Sequence, residues 1–301
     1  MNLQFIADGL LVGAMIGLGA IGVTLTYSIL RFANFAQAEL IAWGAYAALL
    51  GAGLIGYLAG QTATLGPFSF GWPVLIAGLA AMALTGILAL ALDLVVFKRL
   101  RIRGNAIIMV MASFGASMAL RALLEFIFTG EPRYFSREIE IAVPLGAGIR
   151  VTPDQLLTLG LALSLVVAMF LLMTRTTIGR SMRAVAENPT LASVVGVDVA
   201  RVIRATWLIG GALAAAAGIM IGITIQIRPQ MGFDLLLPLF AAAILGGIGS
   251  MPGAVAGGLI VGLAEAAAVP LVGAGFRGAV AFLILIAVLI IRPTGLFGAR
   301  G

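Results

Sequence analysis

The sequence predicts an all-α, polytopic membrane protein whose helices form one bundle. Three properties predict this fold class: 62% of the 301 residues are hydrophobic, only 10% are charged, and the mean hydropathy is +1.16. A surface in contact with water needs more charge than this, and a helix needs about 20 apolar residues to cross a bilayer. We therefore expect about eight or nine transmembrane segments, short connections and a single transmembrane domain over residues 1–301.

Nine apolar runs, separated by charged residues or by glycine and proline, are the candidate helices. They are residues 9–30, 37–58, 73–97, 105–128, 153–174, 205–227, 235–248, 252–270 and 276–291. The seventh run is too short to cross a bilayer, so we expect a re-entrant half-helix that turns back at residues 246–253, a Gly/Pro-rich segment that must be buried in protein or line a cavity. A second polar break lies at residues 34–39, and the number of crossings changes if that break is at mid-membrane.

Glycine recurs at four-residue spacing in several of these runs. Examples are Gly9, Gly13 and Gly17 in the first run and Gly258 and Gly262 in the eighth. Such a row forms a flat stripe on one helix face, which lets a neighbouring backbone approach closely. We expect the helices to pack tightly at these stripes.

The basic residues predict the orientation of the chain. Twelve of the 18 basic residues lie on one side of the membrane if the short seventh run turns back. This set consists of Arg31, Lys98, Arg99, Arg101, Arg103, the five arginines of residues 175–204, Arg292 and Arg300. By the positive-inside rule that side is the cytoplasm, which places the N-terminus outside. Because Arg31 is the first basic residue, we expect no cleavable signal peptide.

The residue types that the chain lacks exclude several classes of function. It has no Cys and no His, so it forms no disulfide, thiolate metal site, Cys nucleophile or Ser-His-Asp triad. A phosphate-binding P-loop needs Gly-Lys-Ser/Thr, and the only lysine, Lys98, follows Phe97. The basic residues lie between apolar runs, which indicates orientation signals rather than a nucleic-acid surface. We expect no catalytic residues, no metal and no cofactor, and we expect any ATP hydrolysis to occur in another subunit.

Polar residues inside the apolar runs are the candidates for a translocation path. Asn34, Gln37 and Glu39 fall within six residues, and Glu265 lies well inside the eighth run among small residues. An unpaired group of this kind costs several kcal/mol in hydrocarbon, so each one needs a reason to be kept. We expect all four to line or gate a path for a polar solute. Two other interpretations stay open: a plain interfacial turn at residues 34–39 and a buried helix–helix hydrogen bond at Glu265.

Two further sets of charged residues have local explanations. Arg121 and Glu125 lie four residues apart, and Asp93 lies close to Lys98 at the cytoplasmic end of its run. We expect an ion pair within each set.

Residues 175–204 form the longest polar stretch of the chain. Apolar residues recur in it at three- and four-residue intervals, with a break at residues 187–190. Asn188 and Pro189 are a typical cap and first residue of a helix. The pattern predicts two short amphipathic helices on the cytoplasmic face. They form either an interfacial hairpin or a docking surface for a cytosolic partner.

Motifs spread along the chain are similar to those of a known family. They are residues 34–39 (NFAQAE), 44–46 (GAY), 179–188 (GRSMRAVAEN), 196–198 (GVD) and 245–254 (LGGIGSMPGA). Together they resemble the permease subunits of branched-chain amino acid ABC importers, and the length is similar to that of the shorter of the two homologous permeases. One departure is Ala38, where relatives often have Gly, which affects the local backbone shape.

The resemblance implies an importer of leucine, isoleucine and valine in a bacterial inner membrane. Its implied partners are a second permease in a heterodimer, two cytosolic ATPases and a periplasmic binding protein, and no nucleic acid. The loop at 175–204 is implied to couple the permease to the ATPases through Arg183, Ala184, Glu187, Asn188 and Gly196. Because the wider family also carries urea, short amides and aromatic acids, the solute stays open. A stand-alone ion-coupled secondary transporter is the main rival, and an intramembrane hydrolase is a third interpretation.

Overall fold

The computed structural model describes residues 4–60, 65–101, 104–136, 141–146, 148–292 and 294–297, and helices make up most of them. The helices are α1 Gln4–Leu30, α2 Ala36–Ala59, α3 Trp72–Leu92, α4 Lys98–Arg101, α5 Ala106–Phe128, α6 Pro153–Arg175, α7 Thr177–Glu187, α8 Pro189–Val194, α9 Val199–Thr224, α10 Met231–Gly246, α11 Met251–Val272 and α12 Arg277–Ile291. A π-helical turn, Asp93–Phe97, joins α3 to α4, a 3-10 turn, Ala274–Phe276, precedes α12, and two strands, β1 Val143–Gly146 and β2 Ile149–Val151, lie between α5 and α6.

Seven of the described helical segments are long and apolar enough to cross a membrane. They are α1, α2, α3 with its continuation to Arg101, α5, α6, α9 and α11. Two shorter apolar helices, α10 and α12, have 16 and 15 residues. Each of the nine helices falls on one of the nine predicted runs, so the predicted all-α multi-pass bundle is confirmed.

α10 and α11 form the predicted helical hairpin at the Gly/Pro-rich segment. A Cβ added to Gly246 would lie 2.1 Å from the carbonyl oxygen of Gly253, and one added to Gly257 would lie 2.1 Å from that of Ala242. The two helices are therefore antiparallel with their backbones in contact. The prediction that the chain turns back at residues 246–253 is confirmed.

Residues 294–297, near the C-terminus, are hydrogen-bonded to the end of α10. The backbone N–H groups of Leu296 and Phe297 donate to the carbonyl oxygens of Leu245 (2.7 Å) and Gly246 (3.1 Å). The last carbonyls of a helix have no partner within that helix, so this segment supplies the hydrogen bonds that α10 itself lacks.

Several segments with basic residues lie in contact at one end of the bundle. Arg31, directly after α1, donates a hydrogen bond to the carbonyl of Ala186 in α7, and Phe32 packs against Phe97, directly before α4, with 5.3 Å between ring centroids. The segments that carry most of the described basic residues of the predicted cytoplasmic side therefore meet here. Two residues of that set lie outside the described residues, namely Arg103 and Arg300.

The opposite end of the bundle carries the loop between α5 and α6. Gln4, at the start of α1, exchanges two hydrogen bonds with the backbone of Arg150 in β2, at 3.0 and 2.8 Å. β1 and β2 pair antiparallel, with Val143 opposite Val151. This hairpin is an addition to the all-α prediction, because a three- or four-residue strand leaves too short a pattern to recognise in the sequence.

α1 and α11 pack through their glycine stripes. A Cβ added to Gly258 would lie 2.4 Å from the Cα of Gly17, and one added to Gly262 would lie 2.3 Å from the backbone nitrogen of Gly13. Gly9 faces Leu263 in the same way, so the two helices run antiparallel. The close packing predicted from the four-residue spacing is confirmed.

Both predicted local ion pairs are wrong. Asp93 is paired with Arg101 instead of Lys98, because the π-helical turn between them changes which side chains share a face. Arg121 lies over the ring of Phe233 in α10, 4.7 Å from its centroid. Nε2 of Gln230, directly before α10, donates a hydrogen bond to Glu125 Oε1 at 3.3 Å. Contacts with the start of α10 therefore replace the second pair, and the spacing within α5 does not reveal them.

We predict that Gly258→Val lowers the thermal stability of the purified protein in detergent. The added side chain would push α11 away from α1, and overpacking of this kind typically costs about 1–3 kcal/mol. Gly53→Val in α2 is the matched control, because nothing lies within 4 Å of a Cβ at Gly53. Equal melting temperatures for the two variants would show that α1 and α11 are not in backbone contact.

Candidate functional site

Three of the predicted path residues form a buried cluster at the start of α2. Asn34, Gln37 and Glu39 are each at most 1% exposed. The backbone N–H of Phe35 donates to the hydroxyl of Ser113 at 3.2 Å, which fixes this turn against α5. Ser113 lies about 10 Å along α5 from its first residue at 1.5 Å per residue. α2 therefore begins beside the second turn of α5, inside the helix bundle rather than at its edge.

The cluster joins α2 to three other helices. The amide Nε2 of Gln37 donates to the carbonyl of Gly210 in α9 at 2.8 Å, and the hydroxyl of Ser117 in α5 donates to Glu39 Oε1 at 3.3 Å. A Cβ added to Gly232, at the start of α10, would lie 2.6 Å from the carbonyl of Ala38. The first turn of α2 thus meets α5, α9 and α10 at one level.

The polar atoms of this cluster are only half satisfied. Among the described residues, Asn34 Nδ2, Gln37 Oε1 and Glu39 Oε2 are buried and have no hydrogen-bond partner. A buried polar atom without a partner destabilises the fold by about 1–3 kcal/mol. Three such atoms in one place are typical of a functional site rather than of a structural network.

The fourth predicted residue, Glu265, lies elsewhere. It is 5% exposed and lines a cavity of about 580 Å³ between α1, α9, α10, α11 and the start of α12. Arg228, Asp234 and Arg277 line the same cavity, and Arg228 pairs with Asp234 at 3.3 Å. Asn34, Gln37 and Glu39 are not among its lining residues. The four predicted path residues therefore occupy two separate places.

Residues 175–204 fold into the two predicted short helices, α7 and α8. Asn188 Oδ1 accepts a hydrogen bond from the backbone N–H of Leu191 at 3.0 Å, and Pro189 is the first residue of α8, as predicted. Gly196 has φ +87° and follows the end of α8, where the N–H of Val197 donates to the carbonyl of Ala192 at 3.0 Å. Gly196 ends the helix because left-handed backbone favours glycine.

α7 is fixed tightly to α6 and α1. A Cβ added to Gly179 would lie 2.4 Å from the carbonyl oxygens of Leu172 and Met173, so α7 lies directly against the end of α6. The guanidinium of Arg183 donates to the carbonyl of Met173, and that of Arg31 donates to the carbonyl of Ala186. Arg183 therefore uses one of its donors within the permease.

The surface that α7 and α8 leave exposed is apolar as well as polar. Leu191, Val194 and Val195 are 61%, 77% and 71% exposed, beside the exposed Glu187 and Asn188. We call these three residues the α8 patch. The sequence pattern identified them as apolar members of an amphipathic helix, but spacing alone does not tell whether an apolar face points towards the bundle or away from it.

The acidic side chains of the interior are spread over several helices. Among the described residues, no group of three or more acidic side chains is arranged to hold a metal ion. The buried carboxylic acids Glu39, Asp93, Asp154 and Glu265 lie on different segments: α2, the π-helical turn, α6 and α11.

Comparisons with known proteins identify one family over nearly the whole chain. The family model of the permease component of branched-chain amino acid transport systems matches residues 5–289. The high-affinity branched-chain amino acid transport system permease protein BraD of Pseudomonas aeruginosa is 32% identical, over 98% of this chain and 95% of its own length. LivH of Escherichia coli K12 is 30% identical with the same coverage. A solved structure, PsaBC from Streptococcus pneumoniae in complex with Fab, has a TM-score of 0.49 at 14% identity, over 97% of this chain and 95% of that one, which is too low to support a functional conclusion.

We predict that Glu39→Gln leaves the melting temperature of the purified protein unchanged or raises it. The substitution keeps the volume and removes an acid whose Oε2 has no partner. Asp154→Asn is the matched control, because this buried acid accepts hydrogen bonds from Ser69 N and Oγ at 3.2 and 2.5 Å. The control is expected to lower the melting temperature by roughly 2–4 °C per kcal/mol lost. An equal loss in both variants would mean that Glu39 is a structural residue.

Proposed function

Because the chain belongs to the family of permease components of branched-chain amino acid transport systems, we propose that it is the membrane-spanning subunit of an ABC importer for leucine, isoleucine and valine. The observation that carries this proposal is the match of the family over residues 5–289, together with relatives of about 30% identity over nearly the whole chain. In this proposal all 301 residues form one transmembrane domain that moves the solute and catalyses no bond chemistry.

The energy for transport comes from partner subunits. The chain has no P-loop lysine, so ATP binding and hydrolysis belong to two cytosolic ATPases. A second, homologous permease completes a heterodimer, and a periplasmic binding protein delivers the solute at the outer face of the bacterial inner membrane. The apolar helices of the chain support its multi-pass place in that membrane.

The α8 patch supports a docking role for α7 and α8. Exposed aliphatic side chains on a helix that lies outside the spans are costly in water and are typical of a surface that a protein partner covers. Glu187 and Asn188 border the α8 patch, and Gly196 directly follows it. Ala184 of α7 is half-buried against the bundle. In this proposal these residues receive the motion of the ATPases.

Contacts of α7 would transmit that motion to the spans. Arg183 and Gly179 fix α7 to the end of α6, and Arg31 fixes it to the end of α1. α1 is in turn packed against α9, α10 and α11. A displacement of α7 therefore reaches the start of α2, where Gln37 contacts Gly210 and lies against Gly22 of α1. We propose that Asn34, Gln37 and Glu39 gate the path at this level.

Transport into vesicles that contain the full complex tests the proposed solute and energy source. We expect uptake of labelled leucine that requires hydrolysable ATP on the ATPase side, and competition by isoleucine and valine. Competition by urea, short amides or aromatic acids but not by aliphatic amino acids would assign another solute. Uptake that follows an ion gradient without ATP would replace the proposal by a secondary transporter.

We predict that Val194→Asp separates the ATPases from the permease or makes their hydrolysis independent of solute-loaded binding protein. The new carboxylate would be buried without a partner in an apolar contact, which costs several kcal/mol. Ala200→Asp is the matched control, because it adds the same charge to an exposed position in the first turn of α9. Co-purification and stimulated ATP hydrolysis are the measurements, and normal values in both variants would exclude the α8 patch as the docking surface.

A further inference from the structure

The cavity beside Glu265 opens towards the end of the bundle that carries the outer loop. Gln226 and Arg228, which line it, flank Ile227, and Ile227 pairs with Arg133 of that loop through two backbone hydrogen bonds of 2.9 and 2.8 Å. Its volume of about 580 Å³ falls within the range of small-molecule sites, about 300–1,000 Å³. The cavity therefore lies on the side from which an imported solute arrives.

The charges that line the cavity are balanced and only partly paired. Arg228 and Asp234 form an ion pair at 3.3 Å, which leaves Arg277 and Glu265. In the part of the chain that the structure describes, Arg277 and Glu265 form no ion pair with each other or with another residue. Glu265 is 5% exposed, and its Oε1 is buried without a hydrogen-bond partner among the described residues.

An open positive group and an open negative group in one cavity match a ligand that carries both charges. A buried charge is stabilised only by an opposite charge or by hydrogen bonds, and a zwitterion supplies both partners at once. Glu265 is buried whereas Arg277 is exposed. A simple anion would therefore leave Glu265 without a partner, and a simple cation would be repelled by Arg277. The charge pattern therefore favours a zwitterion over an ion of one sign.

Much of the remaining lining of the cavity is apolar. Val12, Met15 and Ile16 of α1 and Ile221 of α9 belong to this apolar part. Aliphatic side chains of this kind remove an apolar ligand group from water, at roughly 25 cal/mol per Å² of buried apolar area. The cavity thus combines charged groups with an aliphatic surface, as an amino acid with a branched hydrocarbon side chain requires.

We propose that this cavity is a binding site, formed within a single permease subunit, for an aliphatic α-amino acid. Arg277 binds the carboxylate, Glu265 accepts hydrogen bonds from the ammonium group, and the side chain packs against the wall formed by α1 and α9. This assignment rests on the proposed function, because it names the place where the imported solute first contacts this subunit.

The test uses the absence of natural cysteines. Val12→Cys is introduced into the complete complex with its ATPases, without binding protein or nucleotide, and its reaction with a small impermeant thiol reagent is timed. Leucine at about ten times its dissociation constant should slow the reaction by about tenfold, because the free fraction of sites falls as 1/(1 + [L]/Kd). Leucinamide, which lacks the carboxylate, and 4-methylpentanoate, which lacks the ammonium group, should protect less. Glu265→Gln in the same background should abolish protection by leucine.

A control lies two residues away on the same helix. Leu10 lines a different cavity, beside Ile149 and Leu156, so the rate at Leu10→Cys should not change with leucine. Equal protection at both cysteines would indicate a general conformational change, and an unreactive or unprotected Val12→Cys would show that leucine does not enter; each result overturns the proposal. Leucine uptake by the same complexes separates the two ideas: uptake without protection removes this site alone, whereas absence of both removes the proposed solute as well.

Discussion

The bundle depends on direct backbone contact between α1 and α11. Inside a bilayer no hydrophobic effect drives helices together, so association needs close packing of small residues. Gly13 and Gly17 on α1 face Gly262 and Gly258 on α11, and Gly257 lets α10 lie equally close on another side of α11. These contacts hold the short α10 in the centre of the fold. The charged cavity is bounded by the same helices, so its shape follows from the glycine stripes.

The sequence predicted those parts of the fold that depend on local composition. Nine apolar runs became nine helices, and Asn188 with Pro189 began α8 as expected, because hydropathy and capping act within one segment. The partners of individual side chains were not predictable. Asp93 pairs with Arg101 across a π-helical turn, and Gln37 binds a carbonyl 173 positions away, and neither contact leaves a trace in residue spacing.

The candidate site was predicted in part for the same reason. Polar residues in apolar runs identified Asn34, Gln37, Glu39 and Glu265, but only the fold shows that three of them lie together and that Glu265 faces a charged cavity. In our proposal the cavity receives the solute, the cluster at the start of α2 gates its path, and the α8 patch receives force from the ATPases. The roles of these residues remain predictions from geometry.

In our proposal the α8 patch faces the cytoplasm while the cavity opens to the outside, and labelling in whole cells tests this orientation. The loop between α5 and α6 and the end that carries α7 and α8 lie at opposite ends of the bundle. Single cysteines at the exposed Glu131 and Thr190 report on these two ends in a chain without other cysteines. We expect an impermeant thiol reagent to label Glu131→Cys in intact cells and Thr190→Cys only after the membrane is opened. The reverse pattern would contradict both the docking surface and the solute cavity.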